Sequence, residues 1–159
     1  MIACVGEKMI KKTNAKKVKK PVKLTLTKMR TIEKAQIKKL TKECKALCSQ
    51  ICRMRWDGKC GVCGKEGTAA HHFFGWKACS SVRFDRDNLI WLCYYDHIGK
   101  VHQQGLTEPA REAIINKIGQ DEFDKLRSRA YQVVYYSVDN LREIKESLLA
   151  ELSNRTLPF

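Results

Sequence analysis

No stretch of about 18 consecutive apolar residues occurs in the chain, so no segment reads as a membrane span. Residues 1–10 also lack the continuous apolar stretch of a secretory signal, which predicts a chain that is not exported. Disulfides are therefore not expected. The eight cysteines should sit in a reducing compartment, where thiols bind metals or fill cores. No internal repeat appears, and histidine is scarce, with four in 159 residues. Acidic residues are scarce at one end: residues 1–45 carry 15 Lys and Arg against three Glu, a net of +12, whereas the other 114 residues add only +2 to the total of +14.

A basic arm on a nearly neutral body predicts a polyanion partner, because each neutralised phosphate releases counterions and adds affinity without reading sequence. Within "KKTNAKKVKKPVK", Lys16, Lys17, Lys19 and Lys20 are the candidate DNA contacts. A membrane anchor would need an apolar stripe opposite the lysines, which the scattered valines do not make. A tail that merely aids solubility is the plainer alternative. At 18.3 kDa the chain has the length of one domain with an added tail.

Residues 1–26 read as an arm that is disordered or ordered by DNA. From Thr27, the recurrence of Ile37, Leu40, Cys44, Leu47, Cys48 and Ile51 at three- and four-residue steps predicts a basic amphipathic helix over 27–55. Cys44, Cys48 and Cys52 share that apolar side and are expected to pack as small hydrophobes rather than to bind metal. Residues 56–106, rich in Gly, aromatics, His and Cys, read as short strands and loops around metal, with a buried strand at Leu89–Cys93. A C-terminal helical segment fills 107–159. Its first helix starts at Thr107-Glu108-Pro109 and stops at Gly119. Phe123, Leu126, Ala130 and Val134 mark a second, and Leu141, Ile144, Leu148 and Leu152 a third capped by Ser137.

Cys60-x-x-Cys63 is a zinc-knuckle spacing, in which a two-residue turn aims both thiolates at one tetrahedral ion. Cys93-Tyr-Tyr-Asp96 is its second half-site, with a carboxylate as the fourth ligand and Cys79, His97 or water as substitutes. His71, His72, His97 and His102 then remain, all four in a 32-residue window. Neighbours on a strand alternate faces, so one of His71 and His72 can meet a metal while the other faces a substrate water. A neutral imidazole suits proton transfer near pH 7, and a divalent ion suits phosphate charge and a leaving oxygen. These are the parts of a one-metal phosphodiesterase.

The order Cys60-x-x-Cys63, His71-His72, Asn88, Cys93, His97 resembles the HNH endonucleases. The wider run "MRWDGKCGVCG", "HHFFGW", "VRFDRDNLIWLC" and "DHIGKVH" is similar to the phage NinG/Rap-like recombination nucleases over roughly residues 45–150. The resemblance implies an α+β fold: a small zinc-stapled ββα-metal, treble-clef-like core between a long N-terminal helix and C-terminal helices. It implies His72 as general base and Asn88 as the catalytic-centre residue that braces the loop and orients that base. His71, His97 and the additional His102 would hold a catalytic divalent ion, Mg or Mn foremost, with Zn or Ni as alternatives. Cys60, Cys63 and Cys93 would hold structural zinc.

Two departures from the family pattern stand out. Asp96 replaces a cysteine, and His102 follows His97 at a spacing of five, one more than an i, i+4 helical pair; Gly99 lies between them. The implied function is DNA hydrolysis to 5′-phosphate and 3′-hydroxyl ends, on duplex or branched recombination DNA, in the cytoplasm of a phage's host. The striped C-terminal helices suit a homodimer. The alternatives are a noncatalytic zinc DNA-binding or adaptor protein, and a sequence-specific homing or nicking enzyme. Arg83 and Arg86 read as phosphate clamps or surface charge, and Lys77 and Lys100 as exposed DNA contacts. Trp56, Phe73, Phe74, Trp76, Trp91, Tyr94 and Tyr95 read as core rather than base-stacking platforms.

Overall fold

Thr25 begins the first helix by accepting a hydrogen bond at Oγ1 from Lys28 N (3.4 Å), an N-cap that satisfies one of the free amides of the first turn. The computed structural model describes residues 25–156, so the arm with Lys16, Lys17, Lys19 and Lys20 lies outside the described residues. Helix α1 spans Leu26–Arg55. It ends where Asp57 (φ 51°) and Gly58 (φ 68°) turn the chain left-handed. Trp56 stays packed there by donating Nε1–H to Leu89 O (3.2 Å).

Two strands, β1 (Ala69–His72) and β2 (Leu89–Leu92), pair antiparallel with Ala69 opposite Leu92 and His72 opposite Leu89. All four residues of β2 are buried because the strand has a core on each side. Leu89 and Trp91 join Cys44, Cys48, Ile51, Cys52, Leu141 and Leu148. Ile90 and Leu92 join Val82, Ile114, Phe123 and Leu126. Period-two alternation thus divides one short apolar run between two cores.

After β2 the chain winds into a π-helix over Tyr95–Gln103. Helices α2 (Glu108–Ile118) and α3 (Gln120–Ala130) meet at Gly119, whose φ of 88° favours glycine. Helix α4 (Val138–Thr156) lies along α1, as its apolar stripe predicts. Ser137 Oγ accepts Asn140 N–H at 3.1 Å and Asn140 Oδ1 accepts Ser137 N–H at 3.3 Å, a reciprocal cap. That stripe is buried against α1, so the feature that suggested a dimer face is occupied within the chain. The architecture is α+β, mostly helical with a small two-stranded sheet.

One helix prediction is corrected. Val134 was expected on the second C-terminal helix, but α3 stops at Ala130 and residues 132–137 form a loop. The run Gln132-Val133-Val134-Tyr135-Tyr136 has poor helix propensity. Ser80 offers the loop a replacement for helical hydrogen bonds: its Oγ accepts Val134 N–H (2.9 Å) and its carbonyl accepts the Tyr136 hydroxyl (2.8 Å).

Candidate metal centres and the histidine cleft

The knuckle Cys60–Cys63 is shaped by backbone bonds rather than by its side chains. Cys60 N donates to Lys65 O (2.7 Å), Gly61 N to Trp91 O (2.8 Å) and Gly64 N back to Cys60 O (2.9 Å). Gly64 takes φ 71°, which closes the turn. Across it stand Cys93, just past β2, and Asp96 in the first turn of the π-helix. The four donor atoms of Cys60, Cys63, Cys93 and Asp96 lie within 4.8 Å of one another.

Their spacing fits a tetrahedral ion. Zn–S of about 2.3 Å and Zn–O of about 2.0–2.2 Å imply S···S edges of about 3.8 Å and S···O edges of about 3.5 Å. Cys63 Sγ and Cys93 Sγ are 3.8 Å apart, and Asp96 Oδ2 is 3.2 Å from Cys60 Sγ and 3.4 Å from Cys93 Sγ. Burial pushes the Asp96 carboxyl up, but the thiols of Cys63, Cys60 and Cys93 and the Lys100 ammonium outweigh it and hold it below the usual carboxylate range. The same convergence, led by Asp96, pushes the Cys63 thiol up to about 12. A cation reverses that tendency by favouring thiolates. This group can hold a metal ion such as zinc.

Lys100 Nζ reaches the other carboxylate oxygen, Asp96 Oδ1, at 2.7 Å. It was expected to be an exposed DNA contact; it is instead paired with the one buried acid of the cluster. The i, i+4 spacing of Asp96 and Lys100 was the available sign of this pair.

A second group assembles from β1 and the π-helix. His71 lies 5.0 Å from His97 and 5.2 Å from His102, ring centre to ring centre. His102 Nε2 is 3.1 Å from His97 Nε2, and the three rings offer nitrogens within 4.8 Å of one another. At Zn–N of about 2.1 Å, cis ligands sit about 3.0 Å apart in an octahedron and about 3.4 Å in a tetrahedron, so the pair fits shared coordination of one ion. The i, i+5 spacing, one longer than an α-helical i, i+4 pair, has a conformational answer: in a π-helix i and i+5 come one above the other. Burial, and then the neighbouring His97, His102 and His72, lower the His71 pKa to about 4, which keeps the ring neutral as a ligand must be.

His72 turns the other way, as strand alternation predicts. Its Nε2 lies 3.1 Å from Arg83 O. A carbonyl only accepts, so Nε2 carries the proton and Nδ1 keeps a lone pair, with no hydrogen-bond partner among the described residues. Burial lowers the His72 pKa, against the upward pull of the Arg83 carbonyl. Trp76 packs on the ring at 4.9 Å. His71, His72, His97, His102, Trp76 and Lys45 line one cleft of about 340 Å³. Lys45, from α1, gave no local signal in the sequence; only the packing of α1 beside β1 brings it there.

Asn88 is fully buried and does not reach the cleft. Its Oδ1 accepts Phe74 N–H (2.7 Å), and its Nδ2 donates to Phe74 O and Val82 O (both 3.0 Å). It ties the segment after His72 to the segment carrying the Arg83 carbonyl, so it positions the His72 ring without itself lining the cleft. Arg83 donates Nε–H to Trp76 O (3.2 Å) and places its guanidinium over Trp76. Arg86 pairs with Glu151 of α4 at 3.2 Å and does not line the cleft. Cys44, Cys48 and Cys52 are core residues as expected, with burial pushing the Cys48 and Cys52 thiols to about 12. Phe73, Phe74, Trp76 and Trp91 also pack in or against the cores, whereas Tyr94 and Tyr95 are exposed.

Fold and site together define a small, mostly helical α+β protein with one Cys/Asp group and one His group, each able to hold a metal ion. Among the described residues no helix is long and apolar enough to cross a membrane. The family model described as bacteriophage lambda NinG protein matches residues 3–156, and the chain belongs to that phage family. No curated protein and no solved structure gives a significant match.

Proposed function

We propose that the protein is a metal-dependent DNA endonuclease of the HNH type. The observation that carries this reading is the division of His71 and His72. His71 faces His97 and His102, while His72, one residue on, is held by Arg83 O in the same cleft. The strand pair followed by a helix bearing His97 and His102 has the layout that the resemblance implies for a ββα-metal core.

In this reading His71, His97 and His102 hold the catalytic ion, and Cys60, Cys63, Cys93 and Asp96 hold structural zinc. Three imidazoles without a carboxylate favour a borderline ion such as Zn or Ni over Mg, which prefers oxygen. A bound divalent ion would supply Lewis-acid charge at the phosphate. His72 Nδ1 accepts a proton from water, which attacks phosphorus opposite the 3′ oxygen. The P–O3′ bond breaks and the departing O3′ takes a proton from solvent water, leaving 5′-phosphate and 3′-hydroxyl ends. Arg83 O fixes the tautomer that leaves Nδ1 basic, and Asn88 fixes the loops that hold both. Lys45 on the cleft wall supplies a positive charge for a phosphate oxygen.

The likeness to recombination nucleases favours branched DNA as substrate. The test is cleavage of duplex, nicked, flapped and four-way DNA with Mg, Mn, Zn and Ni varied, wild type against His72→Ala. Cleavage confined to wild type is expected, with DNA binding retained by the variant. A His72→Ala protein that cuts at the wild-type rate sinks the mechanism. Tight binding without turnover under any metal points instead to the zinc adaptor, and cuts that follow sequence rather than junction position point to a homing or nicking enzyme.

A further inference from the structure

Beside the histidine cleft lies a second hollow, bounded by Lys77, Ser80, Arg83, Val134, Tyr135 and Tyr136. The two share a wall. Arg83 stacks on Trp76 (5.1 Å), whose ring packs on His72, and its guanidinium is 5.8 Å from the Tyr136 ring centre. Lys45 lies over Trp76 at 5.1 Å. The loop after α3 presents a run of exposed apolar side chains at this hollow, with Val133 74% and Tyr135 90% exposed on its lining and Tyr131 79% exposed just before them. So dense an apolar display on a protein of this size marks a contact surface. The loop is held in place, since Val134 N and the Tyr136 hydroxyl both bond to Ser80. Little ordering therefore remains to oppose binding.

We infer that this shelf binds unpaired nucleotides of a DNA strand, with a base stacked on Tyr135. For the strand's origin the inference rests on the endonuclease reading: it is the strand that continues out of the histidine cleft. Charge selects the occupant. Lys45, Lys77 and Arg83 line the two hollows, and no Asp or Glu does. Lys34 and Lys38 extend that positive track along α1, on the row continued by Thr41 and Lys45. An apolar protein partner would leave these cations without counter-charges, whereas a phosphodiester chain supplies one per nucleotide. A paired base has both faces covered by its neighbours, so an exposed tyrosine ring discriminates for unpaired bases.

The test measures binding of dye-labelled oligothymidylate, and of a duplex of equal length, to full-length protein in a His72→Ala background at fixed salt. Tyr135→Ala should weaken oligothymidylate binding about 5- to 100-fold, leave duplex affinity unchanged, and be rescued by Tyr135→Phe, which keeps the ring. Because Tyr135 is exposed, the substitution does not threaten the fold. An equal loss for both DNA forms, no loss, or a Tyr135→Phe protein as weak as Tyr135→Ala overturns the inference. So does a wild-type dimer in sedimentation that Tyr135→Ala dissociates, which would make the shelf a self-contact. Cleavage by the wild-type protein is scored separately. An inactive protein that keeps Tyr135-dependent single-strand binding defeats only the endonuclease reading, and an active one without that dependence defeats only the shelf.

Discussion

His97 Nε2 and His102 Nε2 stand 3.1 Å apart although they are five positions apart in the chain. The π-helix over Tyr95–Gln103 makes this possible, since an α-helix would rotate the fifth residue well away from the first. The winding thus brings two imidazoles of one short element together, and His71 on β1 completes a group able to hold a metal ion. His97→Ala and His102→Ala should each weaken Co or Ni binding at the histidine group by more than about tenfold, because each removes one of three imidazoles. Zinc at the cysteine group should stay stoichiometric. Absorption of the cobalt-loaded protein and total-metal analysis separate the two sites, and unchanged cobalt affinity in both variants would rule out a shared ion.

Asp96 and His97 are adjacent on that helix, one in each group, so the cysteine site holds the element that presents the histidines. Lys100 keeps Asp96 charged and aimed, with Oδ1 on Nζ and Oδ2 toward the thiols. Partners that orient a ligand typically account for 10–100-fold in metal affinity. Lys100→Met should therefore speed loss of zinc to a chelator by roughly that factor, and weaken cobalt at the histidine group as well. Zinc loss at the wild-type rate would reduce Lys100 to an ordinary surface cation.

Asn88 bears on stability before chemistry. Asn88→Ala leaves the Phe74 amide and the Phe74 and Val82 carbonyls without their buried partner. The expected cost is on the order of 3 kcal/mol. It should appear as a lower urea midpoint at unchanged slope. A variant of wild-type stability would place the bracing of this loop elsewhere.

Much of this was legible in the sequence because it depends on local spacing. The stripe of α1, the Cys60–Cys63 knuckle, the Ser137 cap and the opposed directions of His71 and His72 follow from helical, turn and strand periodicity. The rest depends on tertiary contact. Propensity does not announce a π-helix, so the His97–His102 gap looked too long. Nothing near Lys45 in the chain says that α1 will lie beside β1. The loop at Val134 left its helical pattern because Ser80, 54 residues away, offers it two hydrogen bonds. For Arg86 the sequence left phosphate clamp and surface charge open, and nothing near it in the chain announced its pairing with Glu151 of α4.

Acid should destabilise the metal-free protein in a definite window. Burial, then His97, His102 and His72, lower the folded-state pKa of His71 to about 4; in the unfolded chain an imidazole titrates near 6.5. Between these values the unfolded state binds a proton that the folded state refuses, so stability falls as pH drops from about 6.5 to about 4 and this contribution levels off below. His72 and His97, also lowered by burial, act in the same direction. Asp96 has the opposite ionisation chemistry, with a depressed carboxyl whose contribution disappears only at more acid pH. Urea midpoints of metal-free wild type and His71→Asn from about pH 2.5 to 7.5 distinguish the two. The variant should lose part of the slope between pH 6.5 and 4 and none of the drop below it, whereas parallel curves would show that His71 is not the buried neutral ring of this cleft.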